Sequence, residues 1–274
     1  MGAAGSIAGK SVLISGASHG LGAALAGEFA RRGARLTLLA RTGDELEAVA
    51  DRCRRTGGDA IAVTGDVTSG DDCRRAVVAA VDRHGGLDIL IANAGLSMWT
   101  PFEQVESTDV LRRLMDVNYM GAVNCIQAGL PQLRRTQGMI VAITSIQAKI
   151  GVPQHTGYVA SKHALQGFCD ALRLELEESG VGVLTVMPHW LRGTQLRRHA
   201  LGGDGGPLGE SSRKHSSESV ALDTAGRAIV EAALRRRRDL VIPWKLKLLL
   251  WLNMARPIWA EGIIKRAMTG QKGH

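Results

Sequence analysis

A doubly wound α/β fold, in which a seven-stranded parallel sheet carries helices on both faces, is the fold class this 274-residue sequence predicts. Two observations lead there. Seven short runs are apolar and rich in β-branched residues, and segments of helical length and spacing separate them. The runs are apolar on both sides rather than alternating in polarity, which suits parallel strands buried between two layers of helices.

The strands expected, in order, are KSVLIS (10–15), RLTLLA (35–40), DAIAVT (59–64), LDILIAN (87–93), MIVAITS (139–145), VGVLTVM (181–187) and DLVIP (239–243). The first is followed by glycines and then by LGAALAGEFARR, a helical segment. In HALQGFCDALRLELEES, Ala164, Leu165, Phe168, Leu172 and Leu176 recur at threes and fours, while Glu175, Glu177 and Glu178 fall off that stripe. With 45% of residues hydrophobic, one large core is within reach. Residues 1–243 therefore read as a single catalytic domain and residues 244–274 as an apolar and basic extension of it.

Two segments depart from the alternation. GGDGGPLGESSRKHSSES (202–219) is glycine- and serine-rich, is expected to be mobile, and falls after the sixth strand, where ligands bind in such folds. A tolerated insertion and a substrate lid are both open readings. The extension WKLKLLLWLNMARPIWAEGIIKRAM has too short an apolar run to cross a bilayer, and Pro257 interrupts it. It suits either the plane of a membrane interface, with Trp244, Trp251 and Trp259 at headgroup depth, or a cap over the substrate pocket or a subunit interface.

The net charge of +8 invites nucleic acid as a partner, but Arg31-Arg32, Arg54-Arg55 and Arg74-Arg75 are dispersed pairs. No nucleic-acid motif or stacking aromatic array accompanies them, so no nucleic-acid partner is expected. Cys53, Cys73, Cys125 and Cys169 lie far apart without C-x-x-C or histidine spacing. That argues for reduced thiols in a cytoplasmic protein and for no metal site. Met1-Gly2 with Ser6 fits a myristoylation pattern formally; a plain flexible start is the simpler reading.

SGASHGLG joins the first strand to the first helix, with Gly16, Gly20 and Gly22 in a G-x-x-x-G-x-G pattern. With 34 glycines in the chain the triplet alone is weak. Between a strand and a helix it has a purpose: the backbone can approach a pyrophosphate, whose charge meets the helix N-terminus. An NAD-selective site usually offers a carboxylate at the end of the second strand; this chain offers Ala40 and then Arg41. A guanidinium there pairs with a phosphate, so NADP(H) is the expected cofactor, with Ser18 and His19 assisting.

The chain has two tyrosines, and one of them, Tyr158, lies four residues before Lys162. A helix brings both onto one face. A phenol ionises near pH 10, and a cation beside it should lower that value enough for proton transfer. On these residues the chain resembles the short-chain dehydrogenase/reductase family, a Rossmann-fold family, from about residue 9 to residue 243. The resemblance places catalytic roles on Asn118, Ser145, Tyr158 and Lys162. It assigns cofactor contacts to Gly16, Gly20, Leu21 and Gly22 in the glycine loop, and to Asp66 and Val67 on the adenine side. Asn93-Ala94-Gly95, Tyr158, Lys162, Pro188 and Thr194 complete the set. It implies that Tyr158 protonates a carbonyl oxygen held by Ser145, that Lys162 holds the nicotinamide ribose, and that Asn118 anchors a proton-relaying water. Dimers or tetramers are also implied.

Where the family commonly has Pro-Gly after the sixth strand, this chain has Pro188-His189. Without glycine a left-handed turn is less accessible there, so the loop is expected to run differently. His189 and Trp190 should lie near substrate, His189 as a packing or gating residue or as a second catalytic histidine. SIQAK, which starts at Ser145 and places Gln147 beside substrate, resembles the S-x-x-G-K stretch of the 11-beta-hydroxysteroid dehydrogenase branch. That branch prefers NADP and carries an apolar C-terminal extension that meets membrane. The function expected is NADP(H)-dependent interconversion of a carbonyl and a secondary alcohol on a moderately large apolar substrate. The alternative is a dinucleotide-binding regulator that uses the tail for partner or membrane contact.

Overall fold

The computed structural model describes residues 6–209 and 219–269. The expected strands appear as β1 (Ser11–Ser15), β2 (Arg35–Ala40), β3 (Asp59–Thr64), β4 (Ile89–Ala92), β5 (Met139–Ile143), β6 (Gly182–Pro188) and β9 (Asp239–Ile242). Two further two-residue strands, β7 (Leu191–Arg192) and β8 (Val220–Ala221), pair with each other outside the main sheet. All seven main strands are parallel, in the order β3-β2-β1-β4-β5-β6-β9. The chain reverses direction across the sheet between β1 and β4, which leaves a crevice at the carboxyl ends of those two strands.

Alternate residues of each strand feed different cores. Val12 and Ile14 of β1, with Leu36 and Leu38 of β2, pack against α1 (Gly20–Arg31), α2 (Gly43–Arg55) and α7 (Leu222–Leu234). Leu13 and Leu39 face the opposite layer, built from α3 (Gly70–His84), α5 (Gly121–Thr136) and α6 (Thr156–Glu175). This two-sided burial is why the strand runs lack polar alternation. Many of the arginines that make the chain basic are paired: Arg31 and Arg32 both bond Glu28, Arg54 bonds Glu47 and Asp51, and Arg74 bonds Asp71.

The first part of the glycine-rich segment is hydrogen-bonded to its surroundings. Leu201 bridges Pro207, Gly202 N–H donates to Gly206 O at 2.8 Å, and Glu106 N–H donates to Gly203 O at 3.0 Å. A Cβ on Gly203 would fall 2.0 Å from Gln104 O, so glycine is there for close packing. Residues 210–218, the rest of the expected loop, lie outside the described residues.

The tail forms α8 (Lys247–Ala255) and α9 (Pro257–Thr269), with Pro257 opening the second helix, where its missing N–H costs nothing. Leu246, Leu249, Leu250 and Ile264 pack on Ile146, Ile150 and Val152, next to the catalytic segment. Trp244, Trp251 and Trp259 face outward, 68–74% exposed, so these indoles do not cap the pocket. Among the described residues no helix is long and apolar enough to cross a membrane.

Candidate active site

The crevice holds a cavity of about 270 Å³ that runs from the glycine loop to an aromatic wall. At its floor, Gly16 adopts φ +64°, and a Cβ there would lie 2.7 Å from Ala94 Cα. Gly22 lies behind the loop, where a Cβ would meet Gly16 O at 2.1 Å. Only glycine permits the first helix and the β4 loop to approach so closely. Asn93 fastens this arrangement: its Nδ2 donates to Ser15 O (3.0 Å) and Gly16 O (3.1 Å), and its backbone N–H donates to Ser15 Oγ. Helix α1 begins without a side-chain cap at His19, so its leading N–H groups are open to an anion at the cavity floor.

Ser18, His19, Gly20 and Leu21 line the same stretch, and Arg41 closes it at the end of β2. Burial holds the His19 imidazole below its usual pKa despite Glu45 nearby. Asp66 and Val67, after β3, form the neighbouring wall. A cradle that side chains would fill and an uncapped helix together fit a dinucleotide. Gly95, Pro188 and Thr194 line the other end, and Gly20 approaches Thr194 to within 3.9 Å of a would-be Cβ.

His189 directly follows β6. It does not have a positive φ, and its N–H donates to Ile242 O at 2.8 Å, continuing the β6–β9 pairing beyond Pro188. With no positive φ at this position, histidine in place of glycine brings no left-handed strain.

Asn118 sits in a π-helical turn, Asp116–Met120, between α4 (Asp109–Met115) and α5. The wide turn points its amide inward, fully buried. Oδ1 accepts from Leu96 N–H (2.7 Å), and Nδ2 donates to Leu96 O (2.9 Å) and Ser161 Oγ (2.9 Å). Both amide hydrogens are therefore committed to protein. The side chain is a brace between the π-turn, the β4 loop and α6. Asn118→Ala would strand the Leu96 peptide groups, at a cost of about 3 kcal/mol. A melting temperature lower by roughly 5–10 °C is expected in calorimetry; an unchanged one would contradict the brace.

Tyr158 and Lys162 lie on the first turns of α6, both buried and both facing the cavity. Ser145 follows β5, and its Oγ accepts from Gln147 N–H at 3.2 Å. Lys162 Nζ donates to Ile143 O at 2.8 Å and lies 5.8 Å from the Tyr158 ring centre. The expectation that lysine lowers the tyrosine pKa is corrected. Burial pushes Tyr158 up to about 12, opposed by the Ser145 hydroxyl beside it, and burial pushes Lys162 down to about 8. Desolvation disfavours the charged form of each and is the largest cause of both shifts.

The wall opposite the tyrosine includes residues that sequence reasoning missed. Trp99 stacks on Trp190 with centroids 5.4 Å apart, and the Arg197 guanidinium lies 4.1 Å over Trp190. His155 packs on Trp99 at 4.8 Å. The signals were present: Trp99 is one of only two tryptophans outside the tail, and His155 immediately precedes the tyrosine helix. Gln147, named from the sequence, lines a smaller side pocket with Ser145 and Tyr158.

Buried acid–base groups above a glycine cradle at the reversal point define an oxidoreductase built on a dinucleotide-binding fold. The family model described as short chain dehydrogenase matches residues 10–201, and the chain belongs to that family. It is 35% identical over 253 residues to "11-beta-hydroxysteroid dehydrogenase-like 4A" of Arabidopsis thaliana, covering 91% of this chain and 81% of the relative. An alcohol dehydrogenase from Thermococcus sibiricus, solved with 5-hydroxy-NADP, is similar at TM-score 0.72 and 26% identity, over 85% of this chain and 95% of that one. A Burkholderia phymatum short-chain dehydrogenase/reductase, solved with NAD, has the same fold at TM-score 0.81 and 22% identity, over 92% and 95% of the two chains.

Proposed function

We propose that this oxidoreductase uses NADP(H) to interconvert a carbonyl and a secondary alcohol on a moderately large, apolar substrate. The observation that carries the reading is a single cavity with Arg41 at one end, Tyr158 and Ser145 in the middle, and the Trp99–Trp190 wall at the other. Arg41 follows Ala40 with no carboxylate at the end of β2, which supports a phosphorylated ribose. The Thermococcus structure, solved with an NADP derivative, agrees; the Burkholderia structure, solved with NAD, is why the preference requires measurement.

Bound NADPH supplies the hydride. Ser145 donates a hydrogen bond to the substrate oxygen and fixes it beside Tyr158. Tyr158 holds its proton throughout the neutral range, because burial sets its pKa at about 12, so it is ready to act as the acid toward a developing alkoxide. Lys162, cationic below about pH 8, stabilises the phenolate as that proton leaves. The stacked indoles, Leu196 and Ala200 exclude water around the rest of the substrate.

The signs of these shifts set the pH dependence. Below pH 8 both groups are protonated, so the rate of reduction should be flat from about pH 6 to 8. It should fall above 8 as Lys162 loses its charge, although Tyr158 still holds its proton. Oxidation of the alcohol requires the phenolate and should rise with pH over the range in which reduction is flat. NADPH consumption against a panel of ketones graded by size and polarity, followed by pH profiles in both directions on the best substrate, tests this. Reduction that climbs steadily through pH 8 would contradict the assignment.

A further inference from the structure

Beside the carbonyl site, a side pocket of about 50 Å³ opens between the Ser145 turn and the aromatic wall. Ser145, Gln147, His155, Tyr158, His189 and Trp190 are among its lining residues. Gln147 is only 9% exposed, and its Oε1 is buried with no hydrogen-bond partner. Its backbone N–H donates to Ser145 Oγ, which holds the Gln147 backbone beside the hydroxyl that receives the substrate oxygen.

A buried amide oxygen without a donor has lost its water and gained nothing in return, and such atoms are uncommon. An apolar residue of the same length would line this pocket without that cost. A ligand that brings a donor removes the deficit. The same larger cavity that receives the substrate is lined by Lys162 and Arg197, so a neutral donor is favoured over an ammonium. The volume suits a group of a few heavy atoms at most. Ser145 and Tyr158 line both spaces, so a group in the side pocket lies close to the carbonyl that these two residues receive.

We infer that Gln147 Oε1 recognises a hydroxyl on the short arm of the substrate, which makes the substrate class α-hydroxy ketones and, in the reverse direction, vicinal diols. The apolar long arm then occupies the larger cavity. This inference rests on the proposed oxidoreductase reading, and the test separates the two.

Matched pairs of a 2-ketone and its 1-hydroxy derivative, at six, ten and fourteen carbons, are reduced by the wild-type protein and by Gln147→Met with NADPH or NADH. The wild type is expected to favour the hydroxy ketone by at least about tenfold in kcat/KM, since a site that hydrogen-bonds a hydroxyl rejects the analogue lacking it. In Gln147→Met that ratio should collapse toward one. A mere packing role for Gln147 would lower both members of a pair together and leave the ratio intact. Equal use of both members by the wild type overturns the inference while leaving the oxidoreductase reading in place; a resident water on Gln147 would give that result. A preference that survives in Gln147→Met also overturns it. Turnover of none of the ketones with either nucleotide overturns the oxidoreductase reading, and the inference falls with it.

Discussion

Replacing Tyr158 with phenylalanine should lower kcat for ketone reduction by about 10³-fold, within the range a positioned general acid contributes. The ring itself packs with Leu96, Met98, Val110, Leu114 and Leu201, and phenylalanine keeps those contacts. The variant should therefore melt close to the wild type and still bind NADPH within a few-fold. The loss is in the chemical step alone: the substrate still meets Ser145, but the alkoxide that forms finds no proton at hand. Steady-state kinetics beside a nucleotide titration separate the two effects. Full turnover in the variant would remove Tyr158 from the mechanism.

Arg41→Ala should reduce the ratio of NADPH to NADH affinity by roughly 10- to 100-fold, the worth of a charge-assisted hydrogen bond to a phosphate. Arg41 is exposed at the cavity rim, so its removal disturbs no packing and the fold should be unaffected. NADH has no phosphate at that position and should bind the variant about as well as the wild type. Titration of both nucleotides reads the ratio directly, and an unchanged ratio would assign the phosphate to other groups or to none.

Much of this architecture is legible in the linear chain because its signals are local. Each strand core, such as VLI at 12–14 or LTLL at 36–39, is apolar on both faces, and the helices between carry a single stripe. The glycine loop is legible for the same reason: Gly16 and Gly22 lie within one turn and serve a contact that no other residue permits. The Tyr158–Lys162 spacing is also local, one turn of α6. What the spacing does not convey is burial. Desolvation depends on everything packed around α6, so the direction of the tyrosine pKa runs opposite to the pairwise expectation.

Long-range contacts account for the other departures. Asn118 braces Leu96 and Ser161, residues 22 and 43 positions away, and nothing near it in the sequence announces those partners. His189 N–H is taken up by Ile242 O in β9, more than fifty residues later. Residues 202–209 look like a flexible linker by composition, yet their glycines permit close packing against Gln104 and a bridge to Leu201. The aromatic wall assembles Trp99, His155 and Trp190 from three separate loops, each of them unremarkable alone.

In the proposed reaction a hydride passes from nicotinamide to a carbonyl carbon while Tyr158 supplies the proton. Reduction of the best ketone with NADPH deuterated at the transferable C4 position tests it most directly, with mass spectrometry of the product. An alcohol carrying one deuterium on the former carbonyl carbon is expected, and no such product from Tyr158→Phe in the same interval. Nucleotide binding with no deuterium transferred to any ketone, and none returned from any alcohol in reverse, would contradict it and point to a protein that binds the dinucleotide without turning it over.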